Sequence, residues 1–172
     1  MIALAVALAA AAAPPPEQAA GTALMQCVGH ALGNAPIVAE NATAMASNGL
    51  IFSPEPPPQL KVMKSTLYGS AQFAGAPSTE GQAWAVGYDS GVCMVMVFGT
   101  EPAPVEKRLT DMFAIPGTWK PEPVKQQDSQ SRKTRFGWDL KDRRLTARMT
   151  VQPEPEPVKG FIMVTIAPEE KK

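Results

Sequence analysis

The stretch GVCMVMVF, residues 91–98, decides the fold of this chain. Every position from Val92 to Phe98 is apolar, which is typical of a central strand that is buried on both faces. Asp89-Ser90-Gly91 precedes it and has the composition of a tight hairpin turn. The run Gln82–Tyr88 before that turn alternates large and small residues, so it predicts the antiparallel partner of the central strand.

A cysteine inside this strand, Cys93, has one counterpart in the chain, Cys27. Cys27 lies on the apolar face of a helix predicted over Glu17–Leu32, which ends at Gly33. An even number of cysteines in an exported domain indicates a disulfide, here one that joins helix to sheet. The alternative is two separate buried thiols, since neither a CxxC pair nor a zinc-ligand spacing occurs.

The rest of the pattern predicts two more helices and four more strands. The helices cover 36–47 and 104–114, and each begins at a proline. The first of these strands, Leu60–Tyr68, follows a proline-rich linker at 54–58, which suits neither a helix nor a central strand. The other predicted strands are 132–140, 144–151 and 160–167.

Together these elements predict a two-layer α+β domain, an antiparallel sheet with helices on one face. Two halves of the chain, 36–99 and 103–167, also repeat one order of features: helix, glycine, aromatic residue, Pro-Glu-Pro and three strands. They match at offsets of 67 to 69 residues, as in GVCMV at 91–95 and GFIMV at 160–164. A duplicated αβββ unit is the economical interpretation, and chance similarity between proline-rich segments is the alternative.

The N-terminus indicates export to the periplasm or secretion. Residues 2–13, IALAVALAAAAA, form an apolar run that is too short for a membrane span but typical of a signal-peptide core. We therefore predict a signal peptide at 1–13 and no stable membrane insertion after its removal. An Ala-rich helix of a cytosolic protein is the alternative. The mature chain then comprises an extended segment at 14–22, one domain at 23–168 and a solvated tail at 169–172.

The charges give no global attraction to nucleic acid, because 16 basic and 16 acidic residues leave a net charge of zero. The stretch Lys125–Arg148 nevertheless holds eight basic residues against three acidic ones. In the hairpin predicted there, Phe136 and Trp138 share one face, whereas Arg135 and Arg148 lie on the other. Because aromatic and basic side chains are separated in this way, we predict no nucleic-acid partner.

Few residues are candidates for catalysis or metal binding. His30, the one histidine, follows Cys27 by three residues and could act as its base. A cysteine in a disulfide is not a nucleophile, so we expect His30 on the helix surface near the C-terminus instead. Met94 and Met96 share a strand face and could hold copper(I), but methionine more often fills cores. No cofactor motif occurs, and neither a metal nor a cofactor is predicted.

The strongest functional indication is a surface on the sheet. Alternate positions from Ala83 to Gly87 are small and would let a helix approach one face, which turns Trp84 and Tyr88 to the other face. Methionines and arginines of neighbouring strands would extend that face into an apolar surface beside a basic one. Such patches mark partners, ligand grooves or dimers, unless the apolar residues are simply core. The predicted binding surface consists of Trp84, Tyr88, Met94, Met96, Arg135, Arg144 and Arg148.

These features predict a non-enzymatic binding or interaction protein whose partner is an envelope or extracellular protein. The alternative is a small exported hydrolase with an unidentified active site, for which loss of turnover in His30→Ala would be the first indication. A homodimer that consumes the apolar face is a third interpretation, and sedimentation would reveal it.

Overall fold

A computed structural model describes residues 12–62, 70–124, 131–152 and 160–170, with the side chains of Val62 and Glu170 excepted. The strands are β1 Ile51–Ser53, β2 Gln72–Ala76, β3 Gln82–Gly87, β4 Cys93–Phe98, β5 Lys120–Glu122, β6 Arg132–Asp139, β7 Arg143–Gln152 and β8 Phe161–Glu170. The helices are α1 Pro16–Leu32, α2 Ala42–Ser47, α3 Pro58–Val62 and α4 Pro102–Phe113, and a 3-10 turn at Ala39–Asn41 precedes α2. The chain therefore has the predicted α+β architecture.

The strands form one antiparallel sheet in the order β1-β2-β3-β4-β8-β7-β6-β5. Two meanders, β1–β4 and β5–β8, meet where β4 pairs with β8, and Val95 lies opposite Val164 at that junction. All six residues of β4 are buried, as expected for the central strand of the sequence analysis. Gly91, with φ of 79°, ends the tight turn that leads from β3 into β4.

Side chains alternate between two faces of the sheet because paired residues of neighbouring strands share a face. The Val95 face carries Val95, Val164 and Ala85, and the Trp84 face carries Trp84 and Met96. The main core lies between the Val95 face and helices α1 and α4. Alanines at alternate positions of β3 and on the buried side of α1 let that helix approach the sheet closely.

Four aromatic residues fill the core beside α4. The ring of Phe113 stacks on Phe136 with centroids 4.5 Å apart and meets Trp119 edge to face at 5.2 Å. Trp119 in turn lies 5.5 Å from Trp138. Such pairs add about 0.5–1.5 kcal/mol each beyond the burial of their apolar area. They fix α4 against β6, the strand that carries part of the predicted basic surface.

The predicted disulfide between Cys27 and Cys93 is confirmed. The two Cα atoms lie 5.2 Å apart, and both residues are 0% exposed. The bridge therefore joins α1 to the central strand inside the main core. It closes a chain segment with a sequence separation of 66 residues, which contains β1, β2 and β3.

Two segments differ from the sequence-based boundaries at the ends of the domain. The predicted extended segment 14–22 is helical from Pro16 onwards, because Pro15 and Pro16 suit the start of a helix, where no backbone N–H bond is lost. β8 continues to Glu170, so Glu169, predicted in the tail, lies opposite Arg144. That pairing extends the strand by matching opposite charges across it.

The linker and strand predicted at 54–68 are also different, because Pro58–Val62 forms helix α3. Its Leu60 is fully buried, and residues 63–68 of the predicted strand lie outside the described residues. The core of the predicted signal peptide, 1–11, lies outside them as well. Within the described ranges, no helix is long and apolar enough to cross a membrane.

Candidate functional site

The histidine that the sequence offered as a base is fully engaged with the backbone. The N–H of Ile37 donates to Nδ1 of His30 at 3.1 Å, so the ring proton is on Nε2, which donates to the carbonyl of Tyr88 at 2.9 Å. The residue is 8% exposed. Its predicted position on the helix surface is therefore wrong. The ring instead joins α1 to the segment that follows it and to the end of β3.

Close packing against β3 holds this ring in place. A Cβ atom at Gly87 would lie 2.7 Å from Cε1 of His30, so only glycine leaves room for the imidazole. Cys27, three residues earlier on α1, is in the disulfide. The proposed thiolate and base pair is therefore absent: the sulfur is oxidised and both ring nitrogens hold structural hydrogen bonds.

The methionines of the predicted binding surface are core residues. Met94 and Met96 are 6% and 2% exposed, and they pack in a second apolar cluster with Phe73 and Phe98. Leu60 of α3 belongs to the same cluster and helps to cover it. Leu60 was predicted to lie in a strand, so the contribution of a helix to this cluster could not be foreseen.

Trp84 and Tyr88 remain half-buried at the border of the second cluster. The indole of Trp84 lies over Gly75 of the neighbouring strand, where a Cβ atom would be 3.0 Å from the ring, and its N–H donates to Gln82 at 3.1 Å. Ile51 lies opposite Gly75 in the edge strand and is 64% exposed. The exposed apolar part of this face is therefore Ile51 with Trp84, and Ile51 was missed because β1 was not predicted.

A charged cluster occupies the Trp84 face on the other side of the sheet. The carboxylate of Glu122 in β5 binds both Arg135, at 2.9 Å, and Arg144. Arg135 also reaches Glu169 at 3.6 Å. These side chains converge over Gly137, where a Cβ atom would collide with Glu122 and Arg144. Two of the three predicted arginines are thus neutralised by carboxylates within the sheet.

The third arginine, Arg148, is exposed and forms no ion pair with any residue that the structure describes. It lies directly opposite Arg135 on β6 and opposite Thr165 on β8. Like charges in directly opposed positions of a sheet repel each other. Since Arg135 is held by Glu122 and Glu169, Arg148 is the one arginine of the predicted binding surface without a counter-charge among the described residues.

The two exposed parts of the Trp84 face lie on either side of half-buried residues of β8. Trp84 and Arg148 are separated by three strand spacings, or about 14 Å across the sheet. Met163 and Thr165 of β8 lie between them and are half-buried. The Trp84 face thus presents an aromatic end and a cationic end, with buried Met94 and Met96 in between.

The described parts of the chain contain no group of three or more His, Cys, Asp or Glu side chains placed to hold a metal ion. Arg132 is paired with Glu106 of α4, and the side-chain hydrogen bond raises the pKa of this arginine above its ordinary value. That contact fastens α4 to β6. Comparison with models of protein families, with curated proteins and with solved structures found no match to this chain.

Proposed function

We propose that the protein is an exported, non-enzymatic binding protein that recognises an acidic surface of an envelope or extracellular protein. The observation that carries this proposal is the exposed Arg148, which has no counter-charge among the described residues and lies about 14 Å across the sheet from Trp84. Arginine and tryptophan are the residues that most often anchor protein interfaces. A carboxylate of the partner would bind the guanidinium of Arg148 in a two-pronged hydrogen-bonded pair.

The size of this surface suits a protein partner better than a small ligand. A stable interface buries about 800 Å² on each side, a patch about 30 Å across, which is wider than the distance between Trp84 and Arg148. Ile51, 64% exposed, would lie within the same contact area at the aromatic end. A partner that covers both ends would bury Trp84 and Ile51 and neutralise Arg148.

Photo-crosslinking in cells that export the protein tests the proposal. A photoreactive residue at position 150, on the same face of β7 as Arg148, is expected to give a specific adduct, whereas one at Ile115, which is 52% exposed, is expected to give none. Adduct formation from position 150 should disappear in Arg148→Glu because the new charge repels an acidic partner. An adduct that persists in Arg148→Glu would refute the proposed contact, and an adduct of twice the mass of the chain would identify a homodimer.

Trp84→Ala tests the aromatic end of the same surface. Loss of the indole exposes Gly75, so circular dichroism must first show that the variant is folded. Unchanged crosslinking at position 150 in a folded Trp84→Ala protein would exclude the aromatic end from the contact.

We propose that the chain reaches its partner by export, with residues 1–13 removed as a signal peptide. The buried Cys27–Cys93 bridge supports this proposal, because such bridges persist in oxidising compartments. The intact mass of the natively expressed protein tests it: loss of the apolar N-terminus and a gain of about 2 Da on reduction are expected. A full-length chain with two free thiols would contradict both export and the bridge.

We also propose that the two meanders derive from a duplicated unit. Val95 matches Val164 at the offset of 69 residues, and these two residues pair with each other, as a two-fold relation between the halves requires. An alignment of homologous sequences tests the duplication, since an offset that does not persist in distant homologues would refute it.

A further inference from the structure

The segment 33–38, which connects α1 to the 3-10 turn, is held to α1 by hydrogen bonds of two kinds. Its first half is held by a backbone bond, in which the N–H of Ala35 donates to the carbonyl of Gly29 at 3.1 Å. Its second half is held by the N–H of Ile37, which donates to Nδ1 of His30 at 3.1 Å. The position of the second half therefore depends on a side chain that can take up a proton.

The bond from Ile37 exists only while the imidazole is neutral. An N–H group can donate to a ring nitrogen only if that nitrogen carries no proton. A proton on Nδ1 of His30 would place two N–H groups against each other across 3.1 Å. Ile37 is 1% exposed, so its N–H would lose its acceptor at a place that water does not reach. A buried donor without an acceptor is unfavourable, and protonation therefore favours movement of Ile37 away from the ring.

The other ring nitrogen keeps its bond in both protonation states. Nε2 donates to the carbonyl of Tyr88 at 2.9 Å, and the neutral ring and the imidazolium both carry a proton on this nitrogen. A positive charge on the ring strengthens that bond. Gly87 packs against the same ring, since a Cβ atom there would lie 2.7 Å from Cε1. Protonation therefore loosens the bond to Ile37 and leaves the ring on β3.

The groups around the ring can accommodate its positive charge. His30 lies in the last turn of α1, whose carbonyl groups favour a cation. The titratable residues on the elements around the ring are Glu17 on α1, Glu40 in the 3-10 turn, and Tyr88 and Asp89 directly after β3. None of the three carboxylates forms an ion pair with the imidazole within the described ranges. The charged ring thus meets carbonyl oxygens on one side, and the N–H of the segment is the group that has to move.

We propose that His30 is a pH-sensitive latch, which holds the segment 33–38 against α1 at neutral pH and releases its second half in mild acid. The movement is confined to this segment, because the bond to Tyr88 and the buried disulfide do not depend on the nitrogen that takes up the proton. The outer side of the helical layer beside the segment therefore changes with pH. The surface around Arg148 is on the other side of the sheet and does not.

Hydrogen exchange of single backbone amides tests the proposal, followed by NMR of the isotope-labelled protein between pH 7.5 and about pH 5, where histidines change charge. The measured quantity is the protection factor, which corrects for the effect of pH on exchange in an unfolded chain. We expect the protection of the Ile37 amide to fall about tenfold or more as the ring signals of His30 report protonation. The amide of Tyr88, which donates to the carbonyl of Val92 at 2.9 Å, should keep its protection.

Three outcomes of this titration would overturn the latch. Constant protection of Ile37 while His30 becomes protonated would show that the bond does not respond to the charge. An equal loss of protection at Tyr88 would show that acid opens the domain as a whole. Ring signals that report a neutral imidazole throughout the titration would show that no proton is taken up.

His30→Gln is the matching variant, because glutamine offers a donor and an acceptor but takes up no proton in this range. We expect equal protection of Ile37 at both ends of the titration in this variant, and a loss in acid that persists there would refute the latch. Asn41→Ala is the control, since it removes a neutral bond to the carbonyl of Pro36 in the same segment and should act equally at both pH values. None of these results depends on crosslinking at position 150, so the two proposals fail separately.

Discussion

Loss of the Cys27–Cys93 bridge should reduce the stability of the protein by an amount that the structure allows to be calculated. With a sequence separation of 66 residues, the loss of loop-closure entropy corresponds to about 4 kcal/mol of unfolding free energy. Each sulfur is also fully buried, so its removal costs about 1 kcal/mol more in lost packing. For a chain of this length, breaking the bridge should lower the melting temperature by about 10 °C or more.

The decisive measurement is a double-mutant cycle with Cys27→Ala, Cys93→Ala and the double variant. Either single substitution breaks the bridge, so each should cost about 5 kcal/mol and the double variant only about 1 kcal/mol more. Urea unfolding followed by tryptophan fluorescence gives these free energies, with reductant present to prevent intermolecular bridges. The wild-type protein, unfolded and refolded under the same reductant, is the control and should lose only about 4 kcal/mol, because it keeps both buried sulfurs.

Additive costs of the two single variants would refute this reasoning, because they would show that the sulfurs contribute only by packing. The burial of both cysteines yields a second expectation. Reductant without denaturant should leave the bridge intact until the protein unfolds, so the rate of reduction should equal the rate of unfolding. Faster reduction of the folded protein would mean that the bridge is accessible.

Three further outcomes are expected from substitutions in and around the core. Gly87→Ala should destabilise the protein by about 1–3 kcal/mol in calorimetry. The same substitution should cost less in a His30→Ala background, because the new Cβ atom then has room. Additive costs of the two substitutions would contradict the clash between this Cβ atom and the imidazole. Phe113→Ala should lower the free energy of unfolding by about 3–5 kcal/mol, whereas Ile115→Ala, at an exposed residue, should lower it by about 0.5 kcal/mol. Similar losses in the two variants would mean that the stacked rings contribute little to stability. Arg148→Ala should leave the melting temperature unchanged or slightly higher, since it removes a like-charge pair; a marked decrease would reveal a structural role.

Elements with strong local signals were predictable from the sequence. β4 is apolar throughout, β7 alternates apolar and polar residues, and α4 has apolar residues at helical spacing after two prolines, so their boundaries agree within about two residues. The disulfide followed from the presence of two cysteines in a domain that was predicted to be exported. In each case the spacing of apolar residues in the sequence is the same as the spacing of buried residues in the folded element.

The elements that the sequence analysis missed depend on their neighbours. β2 contains glycine and alanines, and it is a strand because Trp84 covers Gly75 and β3 supplies its hydrogen bonds. β5 has a proline at its centre, which an edge strand tolerates because one side of its backbone needs no partner. No local pattern distinguishes either segment from a loop.

The functional prediction failed in part for a similar reason. The alternation of β3 and β4 showed which residues share a face, but exposure of that face depends on what packs over it. Leu60 in α3 belongs to the same buried cluster as Met94 and Met96, and a short helix after a proline-rich run has no periodic signal. His30 is a comparable case, because its two hydrogen-bond partners, Ile37 and Tyr88, are backbone groups that the sequence does not mark.

The edges of the sheet limit how a partner can bind. β1 and β5 have three residues each, β1 is followed by Pro54, and Pro121 removes a backbone donor from β5. Short edge strands interrupted by proline are poor templates for an added strand, so recognition by strand addition is disfavoured at both edges. The Val95 face is occupied by α1 and α4. A partner is therefore left with the Trp84 face or the outer side of the helical layer. Arg148→Glu places a negative charge on the first of these surfaces, and Asn48→Asp, at an exposed residue directly after α2, places one on the second. A partner that is lost with one variant and retained with the other thereby identifies the surface that it uses.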